Sequence, residues 1–418
     1  MRIIGVDFGT TNSVLSVLEA DGTTTTAAFG PDRMEMFRTV LCFWADQQGG
    51  RAELRSAAGP AAIEAYLDDP LDSRLIMSMK SYLAQRSFTQ TTVYGRAVTL
   101  EQLIAIFLRA FLQASGVDLA DARIVAGRPV RFVGETADDA LGEARLRAAF
   151  KNVGLDAIDV AFEPEAAGYR FASRLEAPAN VLIGDFGGGT SDFSIVRFDS
   201  GRVAPLATTG IGIAGDAFDY RIIDHVISPL LGKGDTYRVM RTDLPVPPEY
   251  FSAFARWHRL SLMKTPRMLR EIGEVAVASA HPERLRGLIT LIEDELGYRL
   301  YQVVSAAKAA LSRSESTLLS FHHKNIAIER VISRAEFEGW IAPDLARLAS
   351  TVDQALAQAG LAADAIDHVF LTGGTSFVPA VRLLFEHRFG AERVASGGEF
   401  VSVAEGLALI GRDRARAA

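Results

Sequence analysis

Two kinds of apolar run recur along the chain. Short, nearly unbroken runs that end in an acid and a Gly/Thr turn read as buried strands of hairpins. Longer stretches with apolar residues three and four apart read as helices. The first hairpin is Ile4-Gly5-Val6-Asp7-Phe8, a turn at Gly9-Thr10-Thr11-Asn12, and a second strand through Ser13-Val14-Leu15-Ser16-Val17. The pattern returns as Ile183-Gly184-Asp185-Phe186, a turn at Gly187-Gly188-Gly189-Thr190, and Ser191-Asp192-Phe193-Ser194-Ile195. An offset of 178 residues lays Asp7 on Asp185, Phe8 on Phe186, Gly9 on Gly187, Ser13 on Ser191 and Ser16 on Ser194. An internal repeat of this kind predicts two related units, each opened by an acid-ended hairpin.

A second pair of signals follows the same plan. Arg123–Gly127 and His368–Gly374 read as buried strands ending in glycine, each preceded by a helical stretch, 100–116 and 344–359. Glu165-Ala166-Ala167-Gly168-Tyr169 and Val403-Ala404-Glu405-Gly406-Leu407 read as helices with small faces, suited to close approach at a hinge. Residues 228–300 fit neither copy. They pass Pro245-Val246-Pro247-Pro248 and then look helical, with Tyr250, Phe251, Phe254 and Trp257 at helical spacing as a core face. Arg202-Val203-Ala204-Pro205-Leu206 looks too short and too proline-bound for a strong strand, so Gly210-Ile211-Gly212-Ile213-Ala214-Gly215 reads as a loop entering a helix around 216–227 and not as a dinucleotide turn.

Composition narrows the function classes. Of 418 residues, 49% are hydrophobic and 23% charged, which is globular material for more than one domain. No run approaches the roughly 18–20 uninterrupted apolar residues of a membrane helix, and the N-terminal residues do not read as a signal peptide. The expected location is cytoplasmic, with no membrane partner. The net charge of −7 offers no global attraction for nucleic acid. Cys42 is the single cysteine, so no intrachain disulfide can form, and His322-His323 reads as a surface turn. The charged tail after Arg412 reads as a chain end with no room for another domain.

The two hairpin turns carry the candidate chemistry. Amides in a Gly/Thr turn form a concave nest for phosphate oxygens, because the backbone can approach the ligand with no Cβ in the way. An acid beside a phosphate is repulsive unless a cation lies between them. Asp7 and Asp185 therefore point to Mg²⁺. No GxxxxGK[ST] sequence occurs, which disfavours a P-loop.

Ile4–Ser13, Asp185–Asp192 and Thr372–Pro379 together resemble the ATPase domain of the DnaK-type heat-shock chaperones, within the actin-like superfamily, and are most similar to its short, YegD-like branch. The resemblance implies an α/β fold of two ribonuclease H-like lobes around a nucleotide cleft, with a mostly helical insertion in the second lobe. The expected lobes are 1–178 plus 398–418, and 179–397, the latter including an insertion at 228–315. It implies ATP/ADP and Mg²⁺ as cofactors. Gly9, Thr10, Thr11 and Asn12 would bind phosphate from the first lobe, and Gly187, Gly188, Gly189 and Thr190 from the second. Asp7 and Asp185 would hold the metal through water. Lys80 matches the family's catalytic lysine and Glu163 the acid of its first connecting helix, near the attacking water; Asp185 and Thr190 are expected to share in the catalysis, and Asp192 matches an acid beyond the second turn. Gly215, Asp216, Lys308, Ser312, Gly373, Gly374 and Thr375 match nucleoside positions.

Only six of the 44 basic residues are lysine, and none but Lys80 precedes residue 151, which singles out that ammonium. Departures from the pattern fall at the base and the relay. Ala309 and Phe377 stand where the family sandwiches adenine between arginines, Ser305 replaces an acid, Arg131 replaces a tyrosine after Pro129, and Phe400-Val401-Ser402 replaces an aspartate turn. Phe377 could still stack on a base. The expected activity is slow ATP hydrolysis in a chaperone-like protein with a client or regulatory partner. A small-molecule kinase, an actin-like assembly protein and a binding-only pseudo-ATPase stay open as alternatives.

Overall fold

The computed structural model describes residues 2–46, 53–69, 72–132, 136–172, 177–199, 202–254, 260–396 and 402–417. Its contacts divide the chain into one compact unit of residues 1–215 and 345–418 and another of residues 216–344.

The first unit holds two sheets of the same design. One runs, edge to edge, Ile158–Phe162, Ala122–Arg128, Arg2–Phe8, Asn12–Leu18 and Thr24–Thr26, with Phe37–Arg38 pairing on Asn12–Leu18. The other runs Val394–Ser396, His368–Thr372, Ala179–Phe186, Ser191–Asp199 and Arg202–Ile211. In each, an antiparallel hairpin at the centre is flanked on one side by parallel strands that arrive later in the chain. Register repeats with the sequence: Phe8 faces Ser13 as Phe186 faces Ser191, and Asp7 faces Val14 as Asp185 faces Asp192. This doubled plan is the α/β architecture of paired ribonuclease H-like sheets expected from the sequence.

Central strands covered on both faces are mainly apolar, as the buried run from Ile3 to Val6 illustrates. Helix Leu100–Ala114 opens with a capping box, in which the Thr99 hydroxyl accepts from the Gln102 amide and the Gln102 side chain accepts from the Thr99 amide. Its apolar face carries Leu103, Phe107 and Phe111 into a ring cluster with Phe8, Phe29 and Phe37. Each such side chain contributes about 1.5–3 kcal/mol by burial.

A second apolar cluster joins the two sheets through helices Glu163–Ala172 and Ser402–Ala417. Small residues decide this contact. A Cβ on Gly406 would lie 1.7 Å from the Ala166 carbonyl oxygen, and one on Gly5 would lie 2.0 Å from that of Ala404. The helix also reaches the first strand at Gly411, whose added Cβ would meet Ile3.

Two expectations are corrected, and a third is extended. The segment at Arg202 is a full edge strand, Arg202–Ile211, because an outer strand tolerates Pro205 and a register shift absorbs Leu206. The segment after 228 turns helical at Glu249, just after Pro248, as expected, and ahead of it lie a short helix, Ser228–Leu230, and a hairpin that the sequence does not signal. Thr236–Val239 and Thr242–Pro245 form a hairpin whose tip, Met240, has φ 56° and is 96% exposed. His322 and His323 end the strand Ser316–His323, where they pair with Glu329 and Asp294. Trp257, Phe400 and Val401 lie outside the described residues, as do the side chains of Phe254 and Ser402.

The second unit, described by itself, is mainly helical, with Pro266–Ala278, Pro282–Glu293 and Gly297–Leu311 alongside that hairpin and the hairpin of Ser316–His323 with Ile326–Ser333. Arg221 donates to both carboxylate oxygens of Asp344 at 2.7 and 3.0 Å.

Candidate functional site

Five ionisable side chains converge within the first unit. Asp7 and Asp185 stand next to last in the leading strands of the two hairpins. Lys80 sits on a short 3-10 turn, Met79–Tyr82, entered through Ser78 at φ 55°. Glu163 opens the helix that follows strand Ile158–Phe162. The Lys80 Nζ donates to Glu163 Oε1 at 2.5 Å, and the two residues are 7% and 6% exposed. A Cβ on Gly127 would press the Glu163 side chain at 3.0 Å, so glycine at that strand end leaves room for the pair.

Asp192 is the third acid and is 1% exposed. Its Oδ1 accepts from the Val130 amide at 3.2 Å, and the Arg131 amide and the Thr190 hydroxyl also bond its carboxyl. Gly210 makes room, since a Cβ there would fall 2.5 Å from Asp192 Oδ1. The second hairpin is thereby tied to the loop after strand Ala122–Arg128.

The turns are built to keep the backbone close. The Gly187 amide donates to the Thr190 carbonyl at 2.9 Å, and in the equivalent turn a Cβ on Gly9 would lie 2.0 Å from the Asn12 oxygen. Thr10, Thr11, Gly188 and Gly189 are part-exposed in these turns. The Asn12 Oδ1 accepts from Arg38 at 3.2 Å. The third glycine turn abuts the second hairpin: Gly373 has φ 85°, and a Cβ there would meet the Phe186 carbonyl oxygen at 2.0 Å. Gly374 opens a 3-10 turn with Thr375 buried and the Phe377 ring 48% exposed.

Three of the expected nucleoside residues, Asp216, Lys308 and Ser312, lie in the second unit. There Lys308 ion-pairs with buried Asp219 at 2.9 Å. Ser312 donates its hydroxyl to the Lys308 carbonyl at 3.3 Å, and Gly215 begins the helix Gly215–Ile222.

Charge at the five-residue site is unbalanced. Burial first, and then the nearby Glu163 carboxylate, pushes the Asp7 and Asp185 carboxyls up to about 8 and that of Asp192 up to about 7. Lys80 opposes the rise in all three. Burial alone would lower the Lys80 ammonium, but Glu163 and Asp7 outweigh it and hold it above its ordinary value. Four acids against one base make a site short of positive charge, which fits a divalent cation at Asp7 and Asp185. Among the described residues, no group of three or more His, Cys, Asp or Glu could hold a metal ion. Two carboxylates with retained waters and phosphate oxygens would suit magnesium.

The raised carboxyls have a measurable consequence. Their folded values lie above the ordinary carboxyl value, so the folded chain binds more protons than the unfolded one between about pH 4 and pH 8, and stability falls as pH rises through that window. Thermal melts of the ligand-free protein should lose several degrees between about pH 5.5 and pH 8.5. Magnesium should flatten the slope, and a melting temperature that climbs with pH would refute the assignment.

A chain that doubles this sheet plan around acid-ended hairpins is of the two-lobed, actin-like ATPase class. The Hsp70 protein family matches residues 137–235 and 289–412, more than half of the chain, and this protein belongs to that family. It is 26% identical over 423 residues to the chaperone protein DnaK of Deinococcus deserti, covering 98% of this chain and 59% of the relative. The same identity over 428 residues relates it to a chaperone protein DnaK of Thermus thermophilus, with 98% and 60% covered. The chain thus spans about three-fifths of the length of the curated relatives it matches. No described helix is long and apolar enough to cross a membrane.

Two features of the site were not read from the sequence. The anchoring of Asp192 by the Val130 and Arg131 amides is a main-chain contact between distant segments, and no side-chain pattern signals it. The ion pair of Lys80 with Glu163 joins residues 83 positions apart, each of which was visible only singly.

Proposed function

We propose that this chain binds a magnesium–adenine nucleotide with its two acid-ended hairpins and hydrolyses ATP slowly, as a cytoplasmic protein of chaperone type. The observation that carries this reading is the buried Lys80–Glu163 pair beside Asp7 and Asp185 in a chain of the Hsp70 family.

Each group has a chemical role in this reading. Amides of Gly9–Asn12 and Gly187–Thr190, with the Thr10, Thr11 and Thr190 hydroxyls, hold phosphate oxygens. Asp7 and Asp185 hold magnesium, which supplies charge neutralisation on the phosphates when bound. Glu163 accepts a hydrogen bond from the attacking water, while the Lys80 ammonium fixes that carboxylate and faces the phosphoryl oxygens, so water is oriented for in-line attack. Asp192 keeps the second turn in place through Val130 and Arg131. Of the first unit's residues, Gly215, Gly373, Gly374 and Thr375 contact the nucleoside in this reading, and the Phe377 ring offers a stacking face for the base. The lobes would be 1–178 with 398–418, and 179–397. A client or regulatory protein would read the difference between nucleotide states.

Thermal melts with ATP, ADP and GTP, with and without Mg²⁺, test binding, and phosphate release in the same samples tests hydrolysis. Mg-ATP at a hundred times its Kd should stabilise the fold by about 2.7 kcal/mol. A melting temperature unmoved by any magnesium nucleotide at millimolar concentration would remove the reading. Binding without phosphate release would leave a pseudo-ATPase.

A further inference from the structure

We infer that Arg145 is a positioning residue for Lys80, holding the turn that carries the ammonium from beneath. The inference rests on the hydrolysis reading above for its kinetic consequence, though not for its geometry.

Arg145 lies on helix Asp139–Lys151, on the face that buries Gly142, Leu146, Ala149 and Phe150. An apolar residue is what that helical spacing calls for, yet the position holds a guanidinium that is 7% exposed. A buried charge is costly unless it is fully engaged. Here Nη1 donates to three main-chain carbonyls, those of Tyr82 at 3.3 Å, Leu83 at 3.2 Å and Gln85 at 3.1 Å. Its Nε lies 3.1 Å from Glu101 Oε1, an acid in the first turn of the neighbouring helix, an ion pair without the alignment of a hydrogen bond.

Those carbonyls belong to the segment that leaves the Lys80 turn. Within the turn, the Leu83 amide donates to the Lys80 carbonyl at 3.2 Å. Asp138, the cap of the same helix, bonds the same segment, its amide donating to Ala84 O at 3.0 Å and its carboxylate accepting from Arg86. The turn is therefore fixed at its entry by the left-handed Ser78 and at its exit by helix Asp139–Lys151. A planar five-donor fork can serve several carbonyls and a carboxylate together, which a lysine at 145 could not. Slackening the exit would let the Lys80 ammonium drift from Glu163, and ångström-scale drift in a reacting site is expensive in rate.

The test compares Arg145→Lys, Glu101→Gln, Lys80→Ala and the double variant Lys80→Ala/Arg145→Lys. Arg145→Lys should lower kcat for ATP hydrolysis by about 10- to 100-fold, with the Kd for Mg-ATP within about twofold of wild type. The double variant should be no slower than Lys80→Ala alone, within about twofold, because both act through one ammonium. Leu319→Ala, a buried core change in the second unit, controls for stability and should keep kcat at a comparable loss of melting temperature. Amine-directed acetylation read by mass spectrometry needs no turnover. Lys80 should be protected in the wild type and should react about threefold faster or more in Arg145→Lys, measured against Lys233 and Lys324. If Arg145→Lys does not fold, Glu101→Gln, which frees the other side of the guanidinium, carries the same measurements with a smaller effect in the same direction. Unchanged kcat with unchanged Lys80 protection, or a rate loss additive with Lys80→Ala, overturns the inference. A wild type that releases no phosphate would defeat the hydrolysis reading, and the labelling result would then decide the role of Arg145 alone.

Discussion

Replacing Lys80 by alanine is expected to reduce ATP turnover by about 10²–10³-fold, the usual loss when one preorganised donor leaves a reacting phosphoryl or acyl centre. Nucleotide affinity should change far less, because the glycine amides and the two turn acids remain. The same substitution leaves Glu163 buried with no ammonium beside it, and breaking such a pair costs about 3–5 kcal/mol of stability. The two effects separate cleanly. Lys80→Met combined with Glu163→Gln removes both charges and should recover most of the lost stability in urea melts while turnover stays low. Full turnover by a folded Lys80→Ala protein would take this lysine out of the chemistry.

The second large effect concerns packing. Gly406→Ala places a methyl 1.7 Å from the Ala166 carbonyl oxygen, a main-chain atom that cannot rotate aside. Helices Glu163–Ala172 and Ser402–Ala417 must then separate, and the expected loss is about 3 kcal/mol or more, at the upper end for overpacking. Glu163 is the first residue of one of those helices, so turnover should fall with stability. Gly273→Ala is the natural control. It also lies within a helix, nothing stands within 4 Å of its added Cβ, and the change should stabilise by about 0.5–1 kcal/mol. Equal midpoints for the two variants in denaturant would show that the close helix approach has no energetic weight.

What could be read from the sequence follows a physical rule. Glycine beside an acid at a strand end is a demand of the backbone, and the demand recurs wherever the hairpin recurs. The repeat at an offset of 178 residues was therefore visible, and with it the paired sheets. The small faces at Ala166 and Gly406 were visible for the same reason, since close helix approach excludes larger residues. The hairpin at 236–245 was not visible, because nearly all of it faces solvent and leaves no alternation to read. The strand at Arg202 was obscured by Pro205, which only an edge position and the shift at Leu206 make acceptable. Arg145 had a readable signal, a cation in register with Gly142, Leu146 and Ala149. What it holds could not be read, because its partners are main-chain carbonyls some sixty residues away.

The helix Ser402–Ala417 covers the strand Arg2–Phe8, so the chain's opening β-element is sealed by almost its last described one. Joining them closes a loop of nearly the full chain length, and such high contact order makes for slow folding. During synthesis the first sheet must wait, with its apolar strand at 3–6 uncovered, until residue 411 has left the ribosome. The nascent chain therefore passes through a long interval of exposure to aggregation.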